Sequence, residues 1–328
     1  MLGSRGGLVD ASIVAMYRAL LIAAALTACS GTPPGEGGGI DAPPVGGADG
    51  AGGDVPGGGN LEPGSLAVSW MHGSQTCAQN ADPELQVHAY NATVHILRQN
   101  KCKTFEAPFV YVIEGTTTAL MIDTGATNTT NTLRDTVRGL IGTKPLIVAH
   151  SHAHGDHTAG DARFAGQPNT TVVATTKAAI QTQFGIATWP TSAGTIDLGG
   201  RVLDVLAIPG HEATHIAIYD RKTGLLFTGD TLYPGLLFIN DWATYRTSVA
   251  RLAQFVAAHP ISHVLGAHVE MTATAKQVYP YGTTYQPNEH ALPLTAAHVT
   301  ELDAALTQLG PTPPASPVAH DDFVIDPQ

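Results

Sequence analysis

Four side chains that bind metal ions well crowd into six residues of this chain: His152, His154, Asp156 and His157, in a His-x-His-x-Asp-His pattern. In an extended segment His152 and His154 leave the same side of the backbone. Asp156 and His157 follow at a spacing that suits a turn into a helix, which directs them to a second centre nearby. Pro145–His150 reads as a short buried strand, so the cluster sits where a strand ends, on a loop held by a rigid scaffold. A single histidine would be read as a surface or core residue, but four ligands at this spacing point to metal chemistry. His150 beside them reads as a structural, hydrogen-bonded residue. Three further ligand types come later in the chain, each after a glycine: His211 in Pro209-Gly210-His211, Asp230 in Gly229-Asp230-Thr231, and His268 in Gly266-Ala267-His268. Upstream, Leu120–Gly125 places Asp123 in a turn after an apolar run.

The order of these motifs, over about Val110 to Glu270, resembles the metallo-β-lactamase superfamily. The resemblance implies an α+β fold, a four-layer αββα sandwich. It assigns His152, His154 and His211 to one metal and Asp156, His157 and His268 to a second, with Asp230 bridging both. Imidazoles and carboxylates without thiolate suit Zn2+, two per chain, although the ligand types also admit Fe or Mn. The superfamily's di-iron members carry Glu where His154 stands, which favours zinc. Two such ions about 3.5–4 Å apart polarise a carbonyl or phosphoryl oxygen and supply hydroxide near neutral pH. Asp156 is the expected catalytic carboxylate, steering that hydroxide and moving its proton. The expected reaction is hydrolysis of an ester, lactone, thioester or amide-type bond in a small molecule. β-Lactamase activity, and a non-hydrolytic iron redox or metal-binding role, are the alternatives. Asp230 at the bridging position resembles the glyoxalase II and lactonase branches, whereas β-lactamases usually carry Cys or Ser there. His211-Glu212-Ala213-Thr214-His215 departs from the glyoxalase II pattern, and no basic cluster offers to hold the carboxylates of glutathione; His215 reads as structural.

The elements that must position these residues can be read from periodicity. Strands are expected at Leu85–Leu97, Phe109–Ile113, Thr118–Ile122, Thr171–Ala174 and Ile261–Leu265. Hairpins are expected over Ile196–Ile208 and between His215–Tyr219 and Leu225–Thr228. Helices are expected at Asn131–Ile141, Lys177–Phe184 and Pro293–Leu309, with another carrying Tyr245, Val249, Leu252 and Val256. Hairpins followed by helices, twice over, fit two sheets between helices. The aromatic residues after His268, notably Tyr285, are expected with Tyr233, Phe238 and Trp242 around a pocket mouth.

The chain has 328 residues and is 43% hydrophobic, enough for a sizeable core. Its formal charge of −11 and the absence of a basic cluster exclude a nucleic-acid backbone as partner. Residues 1–29 read as a signal peptide whose Leu26-Thr27-Ala28-Cys29 resembles a bacterial lipobox, making a lipid on Cys29 the expected membrane contact. Residues 30–64, rich in Gly and Pro, read as a disordered tether, and residues 65–328 as the catalytic domain. The expected location is the bacterial cell envelope. There Cys77 and Cys102 are an even pair able to form a disulfide.

Overall fold

The computed structural model describes residues 60–328; the signal-peptide and lipobox expectations, and the tether up to residue 59, lie outside the described residues. Residues 60–64 lie along the domain, where Glu62 N–H donates to Lys222 O at 2.8 Å and its carboxylate pairs with Lys222.

One sheet is built from β1 (Leu85–Ala89), β2 (Val94–Gln99), β3 (Phe109–Glu114), β4 (Ala119–Ile122), β5 (Leu146–Ala149) and β6 (Thr170–Val172), in that order. The second contains β7 (Gly194–Asp197), β8 (Val202–Ala207), β9 (Ile216–Asp220), β10 (Leu225–Gly229), β12 (His263–Gly266) and β13 (Pro293–Leu294), ordered β13-β12-β10-β9-β8-β7. Strand alternation shows how the layers stack. In β3, Phe109, Tyr111 and Ile113 join a core that also holds Leu203, Ile218, Phe227 and Leu265 of the second sheet. Val110 and Val112 face the other way, onto Val137 and Ile141 of helix α1 (Thr132–Ile141). In β9, Ile216 and Ile218 face the inter-sheet core, while Ala217 and Tyr219 face α5 (Trp242–Ala258) and α6 (Ala296–Leu309). The result is helix, sheet, sheet, helix: the expected αββα sandwich. Because both faces of these strands are covered, they read as continuous apolar runs.

Most elements fall where periodicity places them, and helix Lys177–Phe184 (α4) does so residue for residue. Two expectations need correction. The single strand Leu85–Leu97 is a hairpin, because Asn91 Oδ1 accepts from Thr93 N–H and Val94 N–H, both at 2.9 Å, and folds the chain back. The pocket-mouth role of Tyr233 and Trp242 is also wrong. Both are buried in the core under α5 and α6, where Trp242 Nε1 donates to Gly310 O and Tyr233 Oη to Leu236 O. A third sheet, β11 (Leu236–Ile239), β15 (Val324–Pro327) and β14 (Val318–Ala319), has no counterpart in the periodicity reading.

Cys77 and Cys102 form a disulfide, closing 25 residues around the β1–β2 hairpin. At the end of the sheets away from the metal ligands, buried Arg201 clamps the two layers together. It makes two bonds to Asp220 in its own sheet, and its Nη1 donates to Thr93 Oγ1 (2.8 Å) and Glu114 O (3.0 Å) in the other. Arg201→Met leaves Asp220 as a buried, uncompensated charge and is expected to cost about 3–5 kcal/mol in denaturant unfolding. Arg221→Met, removing a pair in which the arginine is 53% exposed, is expected to cost under about 1 kcal/mol. Replacing both Cys77 and Cys102 with Ala is expected to lower stability by about 3 kcal/mol through the freed loop entropy, measured the same way.

Candidate metal centre

Each predicted ligand follows the C-terminal end of a strand. Strands β4 and β5 are parallel; β4 leads to Asp123 and β5 to the His150–His154 loop. In the second sheet β8, β10 and β12 run in one direction, and their ends lead to His211, Asp230 and His268. The ends of both sheets therefore deliver ligands to one place. Asp156 and His157 ride on a one-turn helix, α2 (Gly155–Thr158), as the spacing predicts. Two glycines make the approach feasible. Gly229 has φ +49°, and a Cβ there would meet Ser151 Cβ at 2.7 Å; Gly210 has φ +141°, and a Cβ would meet the Tyr245 backbone at 2.4 Å.

The seven residues form two groups, His152–His154–His211 and Asp156–His157–Asp230–His268. In the first, His154 Nδ1 lies 2.9 Å from His152 Nε2 and 3.1 Å from His211 Nε2. In the second, Asp156 Oδ2 lies 3.1 Å from His157 Nε2 and 3.2 Å from His268 Nε2. Asp230 stands between the groups. Its Oδ2 is 3.3 Å from His157 Nε2, 3.6 Å from His211 Nε2 and 3.7 Å from His152 Nε2, while Oδ1 is 3.5 Å from His268 Nε2. Asp230 thus lies within 4 Å of histidines of both groups.

Hydrogen bonds on the outer side of each ring decide which nitrogen faces inward unprotonated. His211 Nδ1–H donates to Phe238 O at 2.7 Å, and His268 Nδ1–H to Glu106 O at 3.2 Å. His157 Nδ1–H donates to Asp123 Oδ2 at 2.8 Å. Ser151 spends its hydroxyl hydrogen on Asp123 Oδ2 (2.9 Å), so its Oγ accepts from His152 Nδ1–H (3.1 Å). Four Nε2 lone pairs and two carboxylates thus point at one another in a buried space, and Asp230 Oδ1 has no hydrogen-bond partner. Acceptors facing acceptors are unfavourable unless cations lie between them. The donor set fits that requirement, with His152, His154 and His211 able to hold one ion, Asp156, His157 and His268 the other, and Asp230 both.

The electrostatics divide the groups. Burial, reinforced by neighbouring imidazoles, holds His152 well below the imidazole range, and burial lowers His211 as well. Burial would lower His157 and His268 too, but Asp230, with Asp123 and Asp156 around His157 and Asp156 around His268, outweighs it and raises both, His268 to about 9. The second group draws positive charge, whether as protons or as metal. Burial pushes Asp156 up, yet His157 and His268 overcome it and hold the carboxylate far below its ordinary range.

Asp123 has φ +69°, a conformation Asp tolerates, and its Oδ1 accepts from Ser151 N–H at 2.7 Å, so one carboxylate fixes the loop and two histidines. His150 is structural as expected, bonded to Asp161 at 2.8 Å. His215 is outside both groups; it stacks on His152 at 4.7 Å and accepts from Asp230 N–H at 3.1 Å. The carbonyls of Phe238 and Glu106 were not foreseen, and no side-chain pattern could have marked main-chain acceptors. The Tyr285 ring lies tilted against His72 at 5.6 Å, while Tyr279 and Tyr281 line a cleft near His268 with Lys101, Glu106 and Glu270.

Residues 104–268 match the family model of the metallo-beta-lactamase superfamily. The chain is 33% identical over 96 residues to the acyl-coenzyme A thioesterase MBLAC2 of Gallus gallus, covering 27% of this chain and 34% of that one. It is 32% identical over 156 residues to the hydroxyacylglutathione hydrolase of Methylobacillus flagellatus, covering 46% and 58%. The matches thus span between about a third and three fifths of those relatives' lengths. Among solved structures, a metallo-beta-lactamase from Pontibacter korlensis aligns over 68% of this chain and 99% of its own, with a TM-score of 0.48 and 18% identity. A match over half the chain, on a sandwich whose strand ends gather this ligand set, makes the chain a member of the metallo-β-lactamase superfamily.

Proposed function

We propose that the protein is a di-zinc hydrolase of the cell envelope that cleaves an ester, thioester or lactone. The observation that carries this reading is the pair of acceptor-only groups sharing Asp230, which calls for two cations at the meeting point of both sheets. Zinc bound there supplies a water acidified into the neutral range and a Lewis acid for a carbonyl oxygen. The chain's own residues do the rest. Asp230, whose side chain is 9% exposed, is a structural carboxylate. Asp156, at 23%, is the acid of the site in contact with solvent, and is placed to carry the proton that the attacking water sheds. In the overall reaction the acyl carbon gains the water oxygen, the bond to the leaving group breaks, and the shed proton leaves with that group. Asp123 and Ser151 hold His152 and His157 in their working tautomers. The acyl-coenzyme A thioesterase and hydroxyacylglutathione hydrolase relatives, both named for thioester substrates, support a thioester over a β-lactam. The signal-like Met16–Cys29 stretch and the Cys77–Cys102 disulfide support an oxidising compartment outside the cytoplasm.

Two outcomes test this. Zinc-loaded protein should hydrolyse members of a panel of chromogenic esters, thioesters and lactones, and Asp156→Ala should cost at least about a hundredfold in kcat; no turnover anywhere on the panel would remove the hydrolase reading. Because protons compete with the ions for the inward nitrogens, metal retained after dialysis should fall progressively as pH drops below the raised value of about 9 at His268. Metal retention that does not change between pH 7 and pH 5 would argue against imidazole ligation.

A further inference from the structure

Two clefts adjoin the metal centre, and their chemistry differs. The one beside His268 holds Lys101 with the carboxylates of Glu106 and Glu270, and the Lys101 ammonium already donates to Phe105 O. The other opens beside His211 with a volume of about 630 Å3, within the range of small-molecule sites. Its wall is apolar along Trp189, Pro190, Pro209 and Ala213. Its two carboxylates, Glu212 and Asp241, are matched in number by two cations, Lys177 and Arg251. The acids in it are already engaged: Glu212 accepts from Thr214 N–H and Oγ1, and Asp241 from Thr244 N–H and Oγ1. On the donor side, Trp189 Nε1 and Arg251 Nε have no acceptor. The other nitrogens of Arg251 bond only neutral oxygens, those of Pro190, Ala207 and Ser248. Lys177 is exposed at the first position of α4, and none of the ion pairs among the described residues includes it. Thr176 Oγ1 caps that helix by accepting from Ala179 N–H, and Ile180 and Phe184 anchor it in the inter-sheet core, so the ammonium is carried on a fixed support.

We propose that the cleft beside His211 receives the non-reacting arm of the substrate, an apolar segment ending in a carboxylate, and that Lys177 selects that end group. The inference rests on the hydrolase reading and adds an orientation to it: the anionic arm lies on the His211 side, where Lys177 and Arg251 match Glu212 and Asp241 in number, and away from the His268 side, where Glu106 and Glu270 outnumber Lys101. The arm's apolar body covers Trp189 and the prolines, and its terminal oxygens meet the exposed Lys177 ammonium.

The test compares two acetyl thioesters, of 3-mercaptopropionate and of its uncharged amide, with zinc-loaded protein and thiol release as the readout. At low salt kcat/KM should be about fivefold higher for the carboxylate ester, the size expected for a solvent-facing ion pair. The ratio should fall to about one in Lys177→Met and below one in Lys177→Glu. A ratio near one in the unaltered protein, or one that Lys177→Glu leaves in place, would overturn the proposal. If neither ester is turned over, the hydrolase reading fails separately, and the cleft is then read by binding. Trp189 fluorescence, taken as the difference from Trp189→Phe, should shift with 6-phenylhexanoate more than with 6-phenylhexanamide in zinc-loaded protein, and should lose that preference in Lys177→Met. Equal shifts for acid and amide would overturn the cleft assignment by itself.

Discussion

The structure is organised around an electrostatic demand: buried imidazoles and carboxylates crowd together so that positive charge, as protons or as metal, has to lie between them. Asp230 Oδ1 is an orphaned acceptor, and His157 Nε2 and His268 Nε2 stand 3.4 Å apart with their outer nitrogens already spent on Asp123 and Glu106. A protein core tolerates this only where cations complete it. The outer hydrogen bonds turn the rings and set their tautomers in advance, an arrangement suited to receiving cations.

The rest of the fold serves that preorganisation. Each outer hydrogen bond ties a ligand to a different part of the molecule. Asp123 at the end of β4 holds His157, the turn before β3 holds His268 through Glu106 O, and β11 holds His211 through Phe238 O. Strand β11 is in turn paired along its length with β15 near the C-terminus, which gives the small third sheet its purpose. At the opposite end, Arg201 and Asp220 fix the spacing of the two large sheets, and Tyr111 Oη donates to Gly266 O between them just ahead of His268. Ligands from two sheets can share one ion only if the sheets keep a fixed separation.

How much of this the sequence carried depended on whether the signal was local. The His152–His157 cluster, and the strand-glycine-ligand steps at His211, Asp230 and His268, are local and were legible with their grouping. Strands with alternate residues in two cores, such as β3 and β9, read correctly as apolar runs. The hairpin inside Leu85–Leu97 was hidden because its apolar alternation continues through Tyr90–Thr93, and the turn is made by one asparagine side chain. Strands β14 and β15 lie in a proline-rich stretch, and β15 pairs with β11, whose Leu236 is 88 residues before its partner Val324. Trp242 misled because an aromatic residue near a ligand in sequence can belong to the far side of the sheet, whereas Tyr233 does pack edge-on against His268, at 5.6 Å, but is buried there rather than at a pocket mouth. Main-chain acceptors for His211 and His268 leave no trace in side-chain pattern at all.

The most direct test of a two-ion centre is a crystal of zinc-loaded protein measured at the zinc absorption edge. Two anomalous peaks, one among His152, His154 and His211 and one among Asp156, His157 and His268, both bordering Asp230, are the expected result. A single peak, or none at these residues in fully loaded protein, would contradict the account.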